Sequence, residues 1–281
     1  MAVQLNPSQR AAVEHGDGPL LVLAGAGSGK TGVITHRIAR LVSRGVRPEA
    51  ILAVSFTNKA ASEMGERMIP LIGRERAERL VLSTFHSFGV RFLSEEKKAL
   101  GYSARFVIFD QSDSVGLVRE ILKREGIGDR KLDLYSVHSR ISLWKNKGLS
   151  PEQVRVGDFE YDVVARDAYP HYEAGLANMC AVDFDDLVFA PVKILRTSER
   201  IRKKWRERFR FLLVDEFQDT NRLQLDLVQL LANEQRNVTV VGDDDQSIYG
   251  WRGAEVGNIL DFASHFAGAT IVKLTTNYRS R

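Results

Sequence analysis

The chain has 281 residues, 44% hydrophobic and 27% charged, a composition that suits a globular protein with a sizeable core in one large domain or two modest ones. Lys and Arg number 40 against 36 Asp and Glu, and the resulting net charge of +4 permits a polyanionic partner without requiring one. The single cysteine, Cys180, excludes an internal disulfide and suits a reducing compartment, the cytoplasm. No apolar run reaches the roughly 20 residues of a membrane span, and M-A-V-Q-L-N-P-S-Q at the N-terminus has no secretory pattern.

Residues 5–10, L-N-P-S-Q-R, predict a short helix capped by Asn6 with Pro7 in its first turn. Gln9 there carries an amide that donates and accepts at once, which reading an adenine edge requires. Leu20–Leu23 predict a short buried strand running into a glycine-rich turn, with a helix opening at Gly29-Lys30-Thr31. The stretch A-G-A-G-S-G-K-T (24–31) is a phosphate loop in which Ala24 replaces the first glycine of the general pattern. In such a loop the backbone N–H groups of Ala24, Gly25, Ala26, Gly27, Ser28 and Gly29 point at one spot, aided by the helix N-terminus. Lys30 then reaches the β- and γ-phosphates, and the Thr31 hydroxyl ligates Mg²⁺. The expected ligand is a nucleoside triphosphate.

Beyond the loop, Val33, Ile34, Ile38, Leu41 and Val42 recur at helical spacing up to Gly45, with Arg37 read as lying off that apolar face. Residues 51–57 read as a buried strand, Asn58–Met68 as a helix and Leu80–Thr84 as a third strand ending in T-F-H-S. From about 90 to 208 helical periodicity dominates, marked by Val115, Val118, Ile121 and Leu122 and by Tyr135–Trp144. The tract 196–210 holds eight basic residues against Glu199 and Glu207, which fits either a solvated face or contact with nucleic-acid phosphate. Strands are then predicted at Phe211–Val214, Asn237–Val241 and Thr270–Leu274, each delivering polar residues at its carboxyl end. The fold class is therefore α/β: a parallel sheet with helices on both faces built from 1–89 and 209–281, and a mainly helical insertion over 90–208.

Triphosphate hydrolysis needs a metal-holding acid and a group that activates water. Asp215-Glu216, directly after an apolar strand, supplies both, and Gln218 and Asp219 extend the run to D-E-F-Q-D. Together with L-N-P-S-Q, A-G-A-G-S-G-K-T, S-F-T-N-K-A-A, S-T-F-H-S-F, D-F-D-D-L, V-G-D-D-D-Q-S-I-Y-G-W-R-G-A and L-T-T-N-Y-R-S, this run resembles, in order, the motifs of superfamily 1 helicases of the UvrD/Rep/PcrA type. The resemblance covers residues 5–280 and implies a RecA-like P-loop core that uses ATP and Mg²⁺.

It further implies roles for single residues. Gln9 would read adenine, and Arg37 and Tyr278 would sandwich the base. Lys30 and Thr31 would serve phosphate and Mg²⁺, Asp215 the metal and Glu216 the water. Gln246 would link the γ-phosphate to the DNA groove, and Arg279 would reach the γ-phosphate from the domain boundary. Phe56, Phe184, Tyr249 and Trp251 match positions that stack bases of single-stranded DNA, with Asn58, His86 and Arg252 beside them. From the residues alone, Phe56 and Phe184 fit core packing as well.

The implied partner is single-stranded DNA, or a duplex with a single-stranded tail, with movement 3′ to 5′ in repair or replication. The sequence ends at Arg281, and the family's second RecA-like core is not in it. The expectation is weak ATP hydrolysis without unwinding by this chain alone. Two other readings are a half-helicase that grips single-stranded DNA or a partner protein without turnover, and the motor part of a helicase–nuclease. A small-molecule P-loop kinase fits least.

Overall fold

In the computed structural model, which describes residues 5–25, 27–102, 105–126, 132–243 and 257–278, the chain divides into two compact units. The first comprises residues 1–85 and 195–281, the second residues 86–194.

The first unit opens with α1 (Pro7–Glu14), β1 (Leu20–Ala24), α2 (Lys30–Ser43), β2 (Ile51–Ser55), α3 (Asn58–Ile72), α4 (Arg74–Glu78) and β3 (Val81–Thr84). Helix α1 starts where its sequence dictates: Asn6 and Gln9 form a reciprocal capping box, and Pro7 occupies the first turn. Thr57 caps α3 by accepting the Ala60 N–H. The chain leaves this unit through α5 (Phe85–Glu95).

The second unit contains β4 (Val107–Ile108), α6 (Gln111–Arg124), α7 (Leu134–Asn146), α8 (Glu160–Asn178), β5 (Ala181–Val182) and α9 (Asp186–Thr197). Its core is helical: Val118 and Ile121 of α6, Val137, Ile141 and Trp144 of α7, and Tyr169 and Tyr172 of α8 pack together. Strands β4 and β5 form a two-stranded parallel ladder only two residues long.

The first unit is completed by α10 (Glu199–Arg208), β6 (Phe211–Val214), α11 (Arg222–Leu231), β7 (Val238–Gly242), α12 (Gly257–Leu260), α13 (Phe262–His265) and β8 (Thr270–Leu274). Its six-stranded sheet, in the order β3-β2-β6-β7-β1-β8, is parallel at every pairing among the described residues, as in a RecA-like core. The inner strands β1, β2, β6 and β7 are short, largely apolar and buried runs, as expected where both sheet faces are covered, whereas the edge strand β8 is mostly exposed. Phe211 and Leu213 join the core with Ile34, Ile38, Met64 and Met68. The basic tract belongs to this unit too. Ile201 and Trp205 are buried, Arg196 bonds Asp226 at 2.6 Å, and Arg206 donates to the Leu230 carbonyl, so α10 lies against α11.

A close helix crossing positions two aromatic rings in the second unit. Gly89 of α5 passes so near α9 that a Cβ there would collide with the Leu187 carbonyl. That approach brings His86, one turn before Gly89, beside Phe184, just before α9. Gly89→Ala is expected to destabilise the chain by about 3 kcal/mol, the upper part of the range for overpacked sites. Denaturant unfolding measures it, and a loss below about 0.5 kcal/mol would show that the helices part without cost.

Candidate functional site: a strand-end cleft beside the phosphate loop

The phosphate loop is built by backbone geometry. Gly27 and Gly29 take positive φ values of 74° and 88°, a region that glycine enters without penalty. The Ser28 N–H and hydroxyl both donate to the Gly25 carbonyl, and the buried hydroxyl lies 2.7 Å from it. Gln9 Nε2 donates to the Ser28 carbonyl at 3.0 Å while its Oε1 accepts the Asn6 N–H, so this buried amide ties α1 to the loop. Tyr278 reaches the loop from the other side: its N–H donates to the Gly27 carbonyl, and its hydroxyl accepts from Asn6 Nδ2 at 2.9 Å. The Tyr278 side chain is exposed.

Lys30 and Thr31 open α2, with Gly29 as a left-handed N-cap. Lys30 Nζ lies 3.3 Å from Glu216 Oε2 and 3.8 Å from Asp243 Oδ2. Sheet order explains the meeting: β1, β7 and β6 are successive neighbours, so the residues after their carboxyl ends converge. Glu216 sits in the left-handed region at φ 49°, ψ 48°, unusual for a residue with a side chain. It is held there from both sides: its N–H donates to Asp215 Oδ1, and its Oε2 accepts from Gln218 Nε2 at 2.9 Å. Gln218 in turn accepts the Asp243 N–H on Oε1 at 3.1 Å. A Cβ at Gly242 would stand 2.6 Å from that oxygen and 2.7 Å from Ile259 Cδ1, so a side chain there would force both tips to shift.

Thr31, Ser55, Phe56, Asp215, Glu216 and Asp219 share a cleft of about 320 Å³, to which α3 contributes Glu63 and Arg67. Burial pushes the Asp215 carboxyl up to about 6, with the Glu216 charge adding to the effect. The same two causes push Asp219 up to about 6, and its Oδ1 is buried with no hydrogen-bond partner. Among the described residues no three His, Cys, Asp or Glu side chains cluster as a ready metal cage. A hydroxyl, a buried carboxylate and an unsatisfied carboxylate oxygen around one cleft nonetheless fit a hard divalent cation that takes its remaining ligands from phosphate and water.

The other expected residues fall in several places. Phe56 is half-buried at the end of β2 and lines this cleft, and Asn58 is exposed at the start of α3, its Oδ1 accepting from Thr84. Phe184 is not a core residue: it is 57% exposed and stacks on His86 with ring centroids 4.1 Å apart and planes 22° apart. Burial pushes His86 down to about 4, so its ring is neutral at physiological pH. Ala26, Gln246, Tyr249, Trp251, Arg252 and Arg279 lie outside the described residues.

Arg37 requires a correction. It is buried within α2, 1% exposed, and its guanidinium is consumed by protein: Nε donates to Thr239, Nη1 to the Ala12 and His15 carbonyls, and Nη2 to Gly16. With its donors used and its planes covered, it is a strut joining α2 to β7 and the end of α1, and no face remains to stack on a base. Sequence reasoning also passed over Gln218 and Asp243 as bonding partners in the cleft, although both stand inside conspicuous motifs. The basic tract contributes an open cleft of about 630 Å³ in which Arg202, Lys203, Arg206 and Arg210 alternate with Glu199, Glu207 and Glu234.

Known proteins share this sequence pattern. The family model described as the UvrD/REP helicase N-terminal domain matches residues 5–267. The ATP-dependent DNA helicase Rep of Escherichia coli (strain K12) is 46% identical over 281 residues, covering 99% of this chain and 42% of that protein. A probable DNA helicase II homolog of Rickettsia conorii is 45% identical over 281 residues, covering 98% of this chain and 43% of that protein. The ATP-dependent DNA helicase PcrA of Bacillus subtilis (strain 168) is 43% identical over 278 residues, covering 98% of this chain and 38% of that protein. The chain thus spans about two fifths of the length of the curated relatives it matches.

Arg37→Ala removes the donor from the buried Ala12 carbonyl and from the less buried His15 and Gly16 carbonyls, and is expected to cost about 2 kcal/mol of unfolding free energy. An unchanged unfolding midpoint would contradict the strut. A second expectation concerns pH. The folded Asp219 carboxyl is raised above its ordinary value, so the folded chain holds that proton longer than the unfolded chain. Its contribution to stability is therefore lost as pH rises from about 4 through about 6. Asp219→Asn should flatten the stability–pH profile across that window, and an unaltered slope would place the titration elsewhere.

Proposed function

The chain belongs to the UvrD/REP helicase N-terminal domain family, and from that premise we propose that it is the ATP-binding half of a motor that moves along single-stranded DNA. The observation that carries the reading is the meeting of Lys30 with Glu216 and Asp243 beside a phosphate loop, at the carboxyl ends of adjacent parallel strands.

The chemistry follows from the placement. Loop N–H groups and the α2 N-terminus receive the phosphates, and the Lys30 ammonium moves from its carboxylate partners onto the terminal phosphate oxygens. Thr31 and Asp215 would hold Mg²⁺, which supplies charge neutralisation at the phosphates. Glu216 acts on the attacking water. With Lys30 on the phosphates, Gln218 still donates to its Oε2, leaving Oε1 to accept the water's proton as the bond to the terminal phosphoryl group breaks and ADP departs. The exposed face of Tyr278 beside the loop suits one side of an adenine ring, with Gln9 at the edge. Gln246 and Arg279 are assigned to the γ-phosphate by family resemblance.

For DNA, the His86–Phe184 pair offers an exposed aromatic face of the kind that holds bases of any sequence. Residues 1–85 with 195–281 serve as the ATP-binding core and 86–194 as an insertion that contributes to the DNA track. Tyr249, Trp251 and Arg252 extend that track, and Phe56 and Asn58 adjoin it. A second RecA-like core completes the ATP site, and cytoplasmic, 3′-to-5′ action on strands exposed in repair or replication fits the assembled motor. No helix among the described residues is long and apolar enough to cross a membrane.

The test is nucleotide binding and turnover by this chain with and without single-stranded DNA. Mg²⁺-dependent ATP binding with slow turnover is expected, and Lys30→Ala should lower the turnover about 100-fold or more. Equal turnover in the variant would remove Lys30 from the chemistry.

A further inference from the structure

The D-F-D-D turn between β5 and α9 sends its four side chains to different surroundings. Asp183 and Asp186 are buried, while Phe184 between them is exposed. The two aspartates lock the turn by exchanging bonds: the Asp186 N–H donates to Asp183 Oδ1 at 2.7 Å, and the Asp183 N–H to Asp186 Oδ2 at 3.2 Å. Asp185 accepts from Asn146 Nδ2 at 2.7 Å. Under the turn lies Lys145, 0% exposed, at the end of α7. Its Nζ stands 2.8 Å from Asp183, 2.8 Å from Asp186 and 2.7 Å from Glu173 of α8. Tyr172 also donates to Asp183, at 3.0 Å.

Stability alone does not call for such a cluster. Apolar side chains of similar volume in place of a buried ion group are often neutral or stabilising, whereas removal of one partner leaves a costly uncompensated charge. An ionic hub adds directional bonds to fixed atoms. Here those bonds run to the residues on both sides of Phe184, so the turn cannot rotate its phenyl ring down onto apolar surface. On the other side, the Gly89 pass holds α5 against α9 and places the His86 ring parallel to Phe184. A large aromatic ring kept in water, rigid and backed by a neutral imidazole, is arranged to stack on something that arrives.

We propose that Lys145 is the positioning residue of the two-ring platform, Phe184 backed by His86, to which the proposed function already assigns base stacking. The inference rests on the DNA-binding reading given above and adds to it a buried cation that never touches the strand. Preformed rings lose little conformational freedom on binding, which is how a residue several bonds from the ligand contributes to affinity.

The experiment uses the 281-residue chain and an oligothymidylate carrying one 2-aminopurine, whose fluorescence falls when it stacks on an aromatic ring. The wild-type chain quenches the probe, and Phe184→Ala abolishes quenching with about a tenfold loss of affinity, the scale of one lost stack. Lys145→Met reproduces both effects. Because Lys145 acts through Phe184, the double variant binds no more weakly than Phe184→Ala, whereas independent effects would multiply. Full quenching by Lys145→Met, or multiplied losses in the double variant, would overturn the role of Lys145 alone. Failure of the wild-type chain to bind the probe would overturn the DNA reading and the platform with it. Thermal unfolding accompanies each variant. Should Lys145→Met lack a cooperative transition, Asp183→Asn enters the same cycle with the same expected non-additivity.

Discussion

An ammonium group among carboxylates at the mouth of a parallel sheet is the interaction on which the first unit turns. Lys30 is reached by Glu216 and Asp243 only because β6, β7 and β1 lie side by side in that order and all point the same way. Parallel pairing forces each connection back across the sheet, so all three strands finish at one edge. A mixed sheet would scatter the same residues over both edges. The short, largely apolar inner strands and the glycine turns at the strand ends are thus conditions for one ion cluster, and in the proposed function that cluster exchanges protein carboxylates for phosphate.

The second unit meets a different constraint with similar means. Its core is a helical packing of Val118, Ile121, Ile141, Trp144, Tyr169 and Tyr172, with an ionic centre beneath one turn. In the first unit the buried charges surround a cleft where chemistry is proposed. In the second, the carboxylates around Lys145 are spent on one cation and one turn, and the useful surface is the apolar ring that the turn leaves outside. Burial alone would push the Lys145 ammonium down, but Asp186, Asp183 and Glu173 hold it well above the ordinary lysine range, so it remains charged.

Much of the fold could be read from pattern. Leu20–Leu23 and Phe211–Val214 announce parallel strands by continuous apolarity, and Asn6-Pro7 announces a helix start by its capping chemistry. Arg37 misleads because its charge draws more weight than its position. It lies four residues from both Val33 and Leu41, on the buried stripe of α2. Lys145 repeats the lesson, four residues beyond Ile141 and eight beyond Val137 on α7. A cation on an apolar stripe is a sign of a buried, fully bonded group, but its partners come from distant segments that spacing cannot reveal. Thr239 and the Ala12, His15 and Gly16 carbonyls for Arg37, and Asp183, Asp186 and Glu173 for Lys145, are knowable only from the folded chain. Gln218 is hidden for a related reason. Its motif makes it conspicuous, yet its two bonds, to Glu216 and to the Asp243 backbone, depend on where β7 ends.

Gly242 turns that last arrangement into a restriction on how the sequence can drift. Its missing side chain is the space in which Gln218 Oε1 and Ile259 Cδ1 sit. Adding even one methyl group would displace the amide that steadies Glu216 and, through the Asp243 N–H, the start of the segment that follows β7. Two positions 24 residues apart in the sequence are therefore coupled in space, since a side chain at one is accommodated only when the amide of the other gives way.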